Sequence, residues 1–557
     1  ARVAREHGAV PIDRAAPLRF ALAFPNVYSV GMASLGYQLV YEMLNVHPDA
    51  SCERVFLPDP EDMAEHERLG QEIFTLESLS PLSQFDVVAF SISFELDYVN
   101  ILRTLRLANI PLRREERDET KPIIIAGGPC ATFNPEPLAD FVDAFAIGDG
   151  EDTIPKLVAA LKSTISDSRE NALAALAGVP GVYVPHFHKP EYAPDGQLVA
   201  VTNATPAPAT VKRAITLDLT AYPAGSTIRT SEAEFGEIHL VEVSRGCGRH
   251  CRFCAAGYIT RPPWTREIGD LPVTGRMGLV GAAVFDHPEA EILCQNILDS
   301  DGQFTVSSVR LDTVTPKVAE LLARGGQKTL TIAPEAGTER LRNVINKPAT
   351  EDMICAAIEN AQSAGINRVK MYFMLGLPTE TEEDAEAIAD LARHFSSEFP
   401  GVNLHISVSC FVPKPWTPFQ WCAMEHESVL RRRFVALKKS VLSIGGIKFT
   451  GESPRQATIQ GYLARGDRRT GAILAEVLAN GGDYPAGVRT TGIDISQYLY
   501  RQRDKNEVLP WDHVDVRIKK SYLWNEYQKA LKGKLTGACR LDECTACGAC
   551  TPIDEIA

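Results

Sequence analysis

The stretch that decides the fold of the second half of the chain is Glu237–Gly257, EIHLVEVSRGCGRHCRFCAAG. Its first eight residues are mostly apolar or β-branched and predict a buried strand. Three cysteines follow at once, Cys247, Cys251 and Cys254, with the spacing C-x3-C-x2-C. Clustered thiols are typical of metal ligands in a reducing compartment, and three thiolates leave one position of an iron–sulfur cube open.

Strands and helices alternate downstream of this segment. Each strand candidate is an apolar run that ends in small or polar residues and is followed by a helical pattern. Six such units in a row predict a partial or full βα barrel, whose chemistry lies in the loops after the strands. The six strand candidates are residues 237–244, 277–285, 304–311, 329–335, 368–376 and 404–412.

A second region of alternation lies upstream, between residue 18 and about residue 160. Its four strand candidates are nearly continuous apolar runs, which predicts a doubly wound parallel sheet covered by helices on both faces. Ligands bind such sheets at the carboxyl ends of the strands, and all four ends here carry Gly, Ser or Asn. The candidates are residues 20–26, 86–95, 121–129 and 143–151.

The chain has 557 residues and a formal net charge of −14, with 45% hydrophobic residues. The length predicts several domains, and the acidic total disfavours a protein that coats nucleic acid. Residues 1–14 lack the apolar run of a secretory signal peptide, and no stretch has the length of a membrane helix, so we expect a cytoplasmic protein. The predicted divisions are an N-terminal sheet domain at 1–190, a linker at 191–236, the barrel at 237–450 and a helical extension at 451–557.

The cysteine segment resembles the radical S-adenosylmethionine (radical SAM) superfamily, whose motif is C-x3-C-x-aromatic-C, with Phe253 at the aromatic position. The resemblance implies that the three cysteines hold a 4Fe–4S cluster whose open iron binds S-adenosylmethionine. The family's common Gly-Gly-Glu turn is absent here, and a helix N-terminal ion pair is the alternative interpretation of Glu335 and Arg340. The residues implied to contact S-adenosylmethionine are Phe253, Gly281, Ala282, Glu335, Arg340, Gly376 and Pro378.

The upstream series AGGP, NPE and GDGE resembles the cobalamin-binding domain that precedes the barrel in one class of radical SAM proteins. That class commonly has Asp-x-His-x-x-Gly after the first strand, whereas this chain has Asn26-Val-Tyr28-Ser-Val-Gly31. Without the histidine, we expect Tyr28 to have the catalytic role of covering the lower face of cobalt. Otherwise, water or no ligand occupies that face. The alternative is a domain that keeps the fold without cobalamin. The implied cofactor-binding residues are Asn26, Tyr28, Gly31, Ser91, Ser93, Glu95, Gly127, Gly128, Pro129, Gly148, Gly150 and Glu151.

The C-terminal tail carries a second cysteine group, Cys539, Cys544, Cys547 and Cys550, with the spacing C-x4-C-x2-C-x2-C. Four close thiolates fit either a closed zinc site or a fully ligated 4Fe–4S cluster, and the spacing does not separate the two. A metal of either kind would order a tail that has few apolar residues.

Together the resemblances imply a cobalamin-dependent radical SAM methyltransferase that methylates an unactivated carbon of a protein or peptide side chain. The glutamine C-methyltransferase of methyl-coenzyme M reductase is one member that pairs these domains. A ferredoxin or flavodoxin is the expected electron donor. Two alternatives stay open: a radical SAM enzyme that modifies tRNA, which the acidic chain disfavours, and a non-catalytic cobalamin and cluster sensor.

Overall fold

The computed structural model describes residues 2–165, 167–216, 218–539, 544 and 546–550. The chain divides into two compact units. The first comprises Ala1–Ile238, Tyr462–Ile495 and Asn506–Arg517, and the second comprises His239–Gly461, Ser496–Lys505 and Ile518–Ala557. The predicted linker at 191–236 falls inside the first unit, and the predicted extension at 451–557 is divided between the two. The functional boundaries of the domains stay a prediction.

Each sheet, including the short two-stranded pairs, lies within one unit. In chain order they are β1 (Leu18–Val27), β2 (Ala50–Leu57), β3 (Val87–Ser91), β4 (Ile123–Gly127), β5 (Ala144–Ala146), β6 (Val182–Tyr183), β7 (His188–Tyr192), β8 (Leu198–Asn203), β9 (Val211–Lys212), β10 (His239–Glu242), β11 (Ser244–Arg245), β12 (Trp264–Thr265), β13 (Arg276–Val280), β14 (Gln303–Val306), β15 (Leu330–Glu335), β16 (Arg368–Leu375), β17 (Asn403–Cys410), β18 (Lys448–Gly451) and β19 (Val514–Asp515).

The α-helices connect these strands and form most of the chain after β18. In chain order they are α1 (Tyr28–Gly31), α2 (Leu35–Val46), α3 (Pro60–Leu69), α4 (Tyr98–Leu107), α5 (Pro129–Phe133), α6 (Gly150–Thr164), α7 (Arg169–Ala177), α8 (Ala256–Ile259), α9 (Ala290–Asp299), α10 (Pro316–Arg324), α11 (Glu339–Val344), α12 (Glu351–Ser363), α13 (Glu382–Glu398), α14 (Glu427–Ser443), α15 (Pro454–Arg465), α16 (Thr470–Ala479), α17 (Tyr484–Thr491), α18 (Ser496–Leu499) and α19 (Lys520–Ala530).

The first unit is built on a six-stranded sheet with the order β2-β1-β3-β4-β5-β6, in which only β6 is antiparallel. The four predicted strands are β1, β3, β4 and β5, and the predicted doubly wound sheet is confirmed. Its apolar strands are buried: Phe20, Val87 and Ile124 are at most 2% exposed. Such burial on both faces of the sheet is what near-continuous apolar strands predict.

Strand β2, ASCERVFL, was not predicted from the hydrophobic pattern, because its centre is charged. Glu53 and Arg54 are nevertheless buried, at 4% and 2% exposed. Arg54 pairs with Glu6 at 2.7 Å and Glu77 at 2.6 Å, and Glu53 accepts hydrogen bonds from Thr75 and Ser78. Buried charges that are paired in this way are tolerated in a strand, which periodicity alone does not reveal.

The second unit contains two parallel sheets, β10-β13-β14 and β15-β16-β17-β18, together with the short antiparallel pair β11-β12. All six predicted barrel strands are present, and β18 is a seventh that the sequence did not predict. Helices such as α9, α10 and α12 connect successive strands, so the predicted α/β class is confirmed. Among the described residues, none of the helices has the length and apolar character needed to span a membrane.

Candidate functional site

The three cysteines of the segment after β11 line one pocket of about 200 Å³ in the second unit. The loop is shaped by its own backbone: Cys254 N–H donates to Cys251 O, and Gly257 N–H donates to Cys254 O. The structure therefore brings together three residues that the sequence predicted as ligands. Other predicted residues in the lining are Phe253, Ala282 and Glu335.

Ionisation of two of these thiols is unfavourable. Burial, followed by the neighbouring thiols Cys251 and Cys247, raises the pKa of Cys254 to about 11. Burial also raises the pKa of Cys251, which Lys347 opposes. Three thiols around one pocket are a typical donor set for a cationic metal centre, which deprotonates thiols when it binds them.

Lys347 and Glu335 form an ion pair in the same pocket, with Nζ and Oε1 2.9 Å apart. Glu335 ends β15 in a left-handed conformation, with φ of 71°, which a side chain adopts at a cost of about 1 kcal/mol or more. The Glu335 carboxylate raises the pKa of Lys347 against the effect of burial. Lys347 was not predicted, and the sequence offers no signal for it beyond its closeness to Glu335 along the chain.

A four-residue charge cluster lies beside this ion pair. Arg249 pairs with Asp286 at 2.8 Å, and Arg310 pairs with Asp312 at 2.9 Å. The cross pairs Arg249–Asp312 and Arg310–Asp286 are both 3.6 Å. Arg249 and Arg310 line the cysteine pocket, so fixed cations face it from two loops. These residues come from different βα units, which is why the sequence did not reveal the cluster.

Four predicted contacts of S-adenosylmethionine lie outside the pocket lining, namely Gly281, Arg340, Gly376 and Pro378. The Arg340 guanidinium donates to the Asp384 carboxylate and to Thr379 O, so it is held by the N-terminal turn of α13. Arg340 thus lies in an ion pair at a helix N-terminus, but with Asp384 and not with Glu335, which pairs with Lys347. A ligand role for Arg340 stays a prediction, while Arg249, Arg310 and Lys347 are cations that line the pocket.

The two predicted glycines of this set have structural reasons of their own. A Cβ at Gly281 would lie 2.4 Å from Ser244 Oγ. Gly376 has φ of 86°, and a Cβ there would lie 2.7 Å from Leu430 Cδ2. Both positions therefore require glycine whether or not a ligand is bound.

The predicted cobalamin-binding residues occupy the carboxyl ends of β1, β3, β4 and β5 and the turns that follow, in the first unit. Asn26 donates to Asp97 Oδ1 at 3.0 Å, and burial raises the pKa of Asp97 to about 6. Half-exposed or exposed at this rim are Asn26, Ser91, Ser93, Gly127, Gly128, Pro129, Gly148 and Gly150; buried are Tyr28, Gly31, Glu95 and Glu151.

Glycine at the rim was predicted because a Cβ would obstruct a planar ligand, and the structure gives a different reason. A Cβ at Gly128, whose φ is 105°, would lie 2.6 Å from Ile92 O. A Cβ at Gly148, whose φ is 104°, would lie 2.3 Å from Ala214 O. Gly31 lies against the Phe56 ring. Only at Gly127 would a Cβ meet ordinary contacts, with Ala146 Cβ at 3.7 Å.

Tyr28, predicted to cover cobalt, is 1% exposed and is occupied by protein partners. Its hydroxyl donates to Glu6 Oε1 at 2.6 Å, and its ring packs edge-on against Phe56. Burial and the Glu6 carboxylate raise its pKa well above the usual range, so the phenol is neutral. In this structure the phenol is therefore not free to cover cobalt, because its oxygen already donates a hydrogen bond to a buried carboxylate.

The tail cysteines lie in the second unit, and residues 540–543, 545 and 551–557 lie outside the described residues. Cys547 is buried at 4% exposed, and its carbonyl accepts from Lys519 N–H at 2.8 Å. Burial raises the pKa of Cys539, and the thiols of Cys547, Cys550 and Cys544 add to this. The four predicted ligands are thus neighbours in the structure.

Two family models match the chain: "Radical SAM proteins, N-terminal" over residues 36–185 and "Radical SAM superfamily" over residues 241–392. The uncharacterized protein MJ0966 of Methanocaldococcus jannaschii is 30% identical over 470 residues, which cover 82% of this chain and 90% of that protein. The uncharacterized methyltransferase PH0819 of Pyrococcus horikoshii is 26% identical over 293 residues, 50% of this chain and 59% of that protein.

Several solved structures are similar to this chain. One of them is the radical S-adenosylmethionine methyltransferase TsrM of Kitasatospora setae, determined with cobalamin and a 4Fe–4S cluster bound. The two chains are 15% identical, the TM-score is 0.47, and the match covers 71% of this chain and 75% of TsrM.

Proposed function

Because the chain belongs to the radical SAM superfamily, we propose that the cysteine pocket holds a 4Fe–4S cluster and binds S-adenosylmethionine beside it. The observation that carries the proposal is the set of three half-buried thiols, Cys247, Cys251 and Cys254, around one pocket. When bound, a cluster with one open iron supplies the electron that cleaves S-adenosylmethionine into methionine and a 5′-deoxyadenosyl radical.

The protein's own residues then orient the substrate. Glu335, held by Lys347, presents a carboxylate that accepts hydrogen bonds from ribose hydroxyls. Arg310 is the cation proposed for the methionine carboxylate, because it lines the pocket and Arg340 does not. Ala282 and Ala283 keep one wall free of bulky side chains.

The second part of the proposal is methyl transfer that uses cobalamin held at the rim of the first unit. It is supported by the order of the rim motifs along the chain, by the half-exposed Ser91 and Gly127, and by the exposed Phe94. When bound, cobalamin supplies the methyl group. The methyltransferase name of the relative PH0819 also supports this chemistry. The substrate we propose is an unactivated carbon of a protein or peptide side chain, with a glutamine side chain as the specific candidate.

The tail thiols Cys539, Cys544, Cys547 and Cys550 are proposed to hold a second metal centre. Their mutual closeness and the burial of Cys547 support this assignment. A ferredoxin or flavodoxin is the proposed electron donor, and the cytoplasm is the proposed compartment.

The test is anaerobic reconstitution with iron, sulfide and hydroxocobalamin, followed by S-adenosylmethionine and dithionite. We expect 5′-deoxyadenosine to form, corrin absorbance to survive desalting, and iron to exceed the content of one cluster. A protein that binds cobalamin and iron but forms no 5′-deoxyadenosine would be a sensor and would contradict the proposal. Retention of no corrin would remove the methyl-transfer part alone.

The substrate is found by comparing peptides from cells with and without the gene by mass spectrometry. We expect at least one side chain to lose the mass of a methyl group in the deletion strain, and to regain it when the parent gene, but not the Cys251→Ala gene, is restored. If the mass changes occur on tRNA nucleosides instead, the protein-substrate proposal is wrong and the tRNA alternative takes its place.

A further inference from the structure

The tail of the chain is bonded to the loop that carries the first cysteine group. Cys539 N–H donates to Gly248 O at 2.8 Å. A Cβ on Gly248 would lie 3.4 Å from Cys539 Cβ, so the two segments are in direct contact. Since Gly248 follows Cys247, one residue and one hydrogen bond connect a ligand of the loop site to a ligand of the tail site.

Two buried side chains fix this arrangement. Arg252, which is fully buried, donates to Lys534 O at 2.6 Å and pairs with Glu526 at 3.1 Å. Asn346 donates to both His250 O and Thr536 O, at 3.1 and 3.0 Å, and accepts from Thr536 N–H. The loop and the tail segment before Cys539 are therefore held in a fixed relative position by several hydrogen bonds and an ion pair rather than by a single contact.

His250 directs its ring from the loop toward the tail. Its Nδ1 lies 3.0 Å from Arg261 Nη2 and 2.6 Å from the Tyr522 hydroxyl, and its Nε2 lies 3.5 Å from Cys539 Sγ. A guanidinium only donates hydrogen bonds, so Nδ1 must accept and the ring proton sits on Nε2. His250 Nε2–H is thus aimed at a sulfur of the tail site.

The spacing of the tail thiols distinguishes a cluster from a single ion. A zinc ion with bonds of about 2.3 Å to four thiolates places the sulfurs about 3.8 Å apart. Among the described residues, the group with three ligand atoms all within 4.8 Å of one another is Cys355, His394 and Glu398, which lie on α12 and α13. By the same measure, the described tail thiols do not form a group with three sulfurs within 4.8 Å of one another, which favours a multi-iron cluster over a single zinc ion.

Resting on the tail metal site proposed above, we propose that the tail holds a redox-active iron–sulfur cluster that is electronically coupled to the loop site, with His250 as the positioning residue between them. One electron passes from a reduced ferredoxin or flavodoxin to the tail cluster and from there to the loop cluster. The donor is oxidised by one electron, the loop cluster is reduced by one, and no bond is made or broken.

The role of His250 predicts a measurable change in potential. Hydrogen bonds to cluster sulfurs are among the factors that set the potential of an iron–sulfur centre, and N–H donors favour the more negative, reduced form. Replacing the imidazole by a phenyl ring removes the donor. We expect His250→Phe to disfavour reduction about tenfold, which is about 59 mV for one electron, while His250→Gln keeps an N–H and recovers most of the shift.

The first experiment isolates the tail cluster in the full chain. A Cys247→Ser, Cys251→Ser, Cys254→Ser variant that also carries Cys355→Ser is reconstituted anaerobically, so that neither the loop nor the α12–α13 group contributes metal. Iron, sulfide and zinc are counted, and the potential is measured by redox titration monitored by electron paramagnetic resonance. The same chain with His250→Phe, His250→Gln or, as the matched control at an exposed histidine of the first unit, His7→Phe is then compared.

Each result decides one statement. Iron and sulfide with a more negative potential for His250→Phe alone support the proposal. An unchanged potential overturns the role of His250. Stoichiometric zinc without iron overturns the redox link but leaves a tail metal site. Absence of any metal removes the tail site itself. The proposed function is tested separately in the chain with its loop cysteines intact: a chain that contains both clusters but makes no 5′-deoxyadenosine contradicts that function and leaves the tail cluster in place.

A second experiment tests the direction of electron flow in the chain with its loop cysteines intact. The rate of 5′-deoxyadenosine formation is measured with reduced flavodoxin and with a small chemical reductant that reaches both clusters. We expect the ratio of the two rates to fall about tenfold in a Cys544→Ser, Cys547→Ser, Cys550→Ser variant, and to fall in the same direction with His250→Phe. An unchanged ratio in both variants overturns the relay.

Discussion

The rim of the first unit and the cysteine pocket of the second unit were both predicted to bind cofactors, but their residues have different explanations. At the rim, Gly128 and Gly148 are required by the carbonyls of Ile92 and Ala214. In the pocket, three cysteine side chains line one cavity of about 200 Å³, and burial and neighbouring thiols raise the pKa of Cys251 and Cys254.

The difference teaches which features of a sequence point to a ligand. A glycine with a positive φ is explained by the backbone conformation around it, so it is not by itself evidence of a bound ligand. A group of metal-binding side chains gathered around one cavity indicates a ligand that the backbone conformation does not account for. The pocket is therefore the stronger site, and the rim depends on the resemblance and on its half-exposed polar residues.

The largest effect is expected at the pocket. Cys251→Ala removes one of three thiolates, and no other cysteine lines the pocket, so 5′-deoxyadenosine formation should fall at least about 1000-fold. Cys355→Ala, on α12 and outside the pocket, is the matched control and should stay near the parent. Product is measured by liquid chromatography after anaerobic reconstitution. Turnover by the Cys251→Ala variant would show that the pocket does not hold the cluster.

The next prediction separates the two explanations of the rim glycines. Gly128→Ala should lower the free energy of unfolding by about 3 kcal/mol or more, because φ of 105° and the Ile92 carbonyl both oppose a Cβ. Gly127→Ala, one residue away, meets only ordinary contacts and should change it by no more than about 0.5 kcal/mol. Urea unfolding without cobalamin measures both.

The same pair of variants tests the rim as a ligand site. If the rim binds cobalamin, Gly127→Ala should reduce the corrin that survives desalting although its stability is that of the parent. A Gly128→Ala variant as stable as the parent would contradict the backbone explanation.

A third prediction concerns Glu380, whose carboxyl group holds the turn at Gly376. Glu380 accepts from Gly376 N–H at 2.9 Å and pairs with Arg433 at 3.0 Å, and burial raises its pKa from 4.5 to about 7. Between these pH values the folded chain binds more protons than the unfolded chain, so stability falls as pH rises from 4.5 to 7. The fall attributable to this group is about 2–3 kcal/mol.

Glu380→Gln should remove that part of the pH dependence, because Gln accepts the same N–H bond and does not ionise. Arg433 keeps Glu382 at 3.2 Å and Glu425 at 3.3 Å as partners. Unfolding free energies measured at several pH values between 4.5 and 7 check this. A parent and variant with parallel profiles would mean that Glu380 ionises normally.

Much of the fold could be predicted from hydrophobic pattern. Apolar runs such as those of β4 and β16 are buried between layers, and burial is what the pattern encodes. The pattern failed at β2, where Arg54 is buried because Glu6 and Glu77, both distant in sequence, neutralise it. Residues 191–236, whose Pro-rich composition predicts a linker, contain β8 and β9 and lie within the first unit.

The site could be predicted only where its residues are close together in sequence. The three pocket cysteines and the family they indicate follow from one short motif, and the family prediction is confirmed. Lys347, Arg310 and Arg249 reach the pocket from separate loops, and His250 meets Cys539 across 289 residues. Partners that only the folded chain brings together leave no local signal, which is why these contacts were missed.

The smallest effect is expected at Tyr28, where the structure disagrees with the expectation from the sequence that this side chain covers cobalt. Tyr28→Phe removes the hydrogen bond to Glu6, but Glu6 still accepts two from Arg54, at 2.8 and 2.7 Å, so no buried carboxylate is left unpaired. The free energy of unfolding should fall by about 1 kcal/mol, with an unchanged urea dependence. Because the phenol is neutral and already bonded, the absorbance and cobalt(II) paramagnetic resonance of bound cobalamin should match those of the parent. A spectral change with Tyr28→Phe would mean that the oxygen leaves Glu6 and contacts cobalt when the cofactor binds. The rim would then resemble the pocket, because its side chains would also bind a ligand.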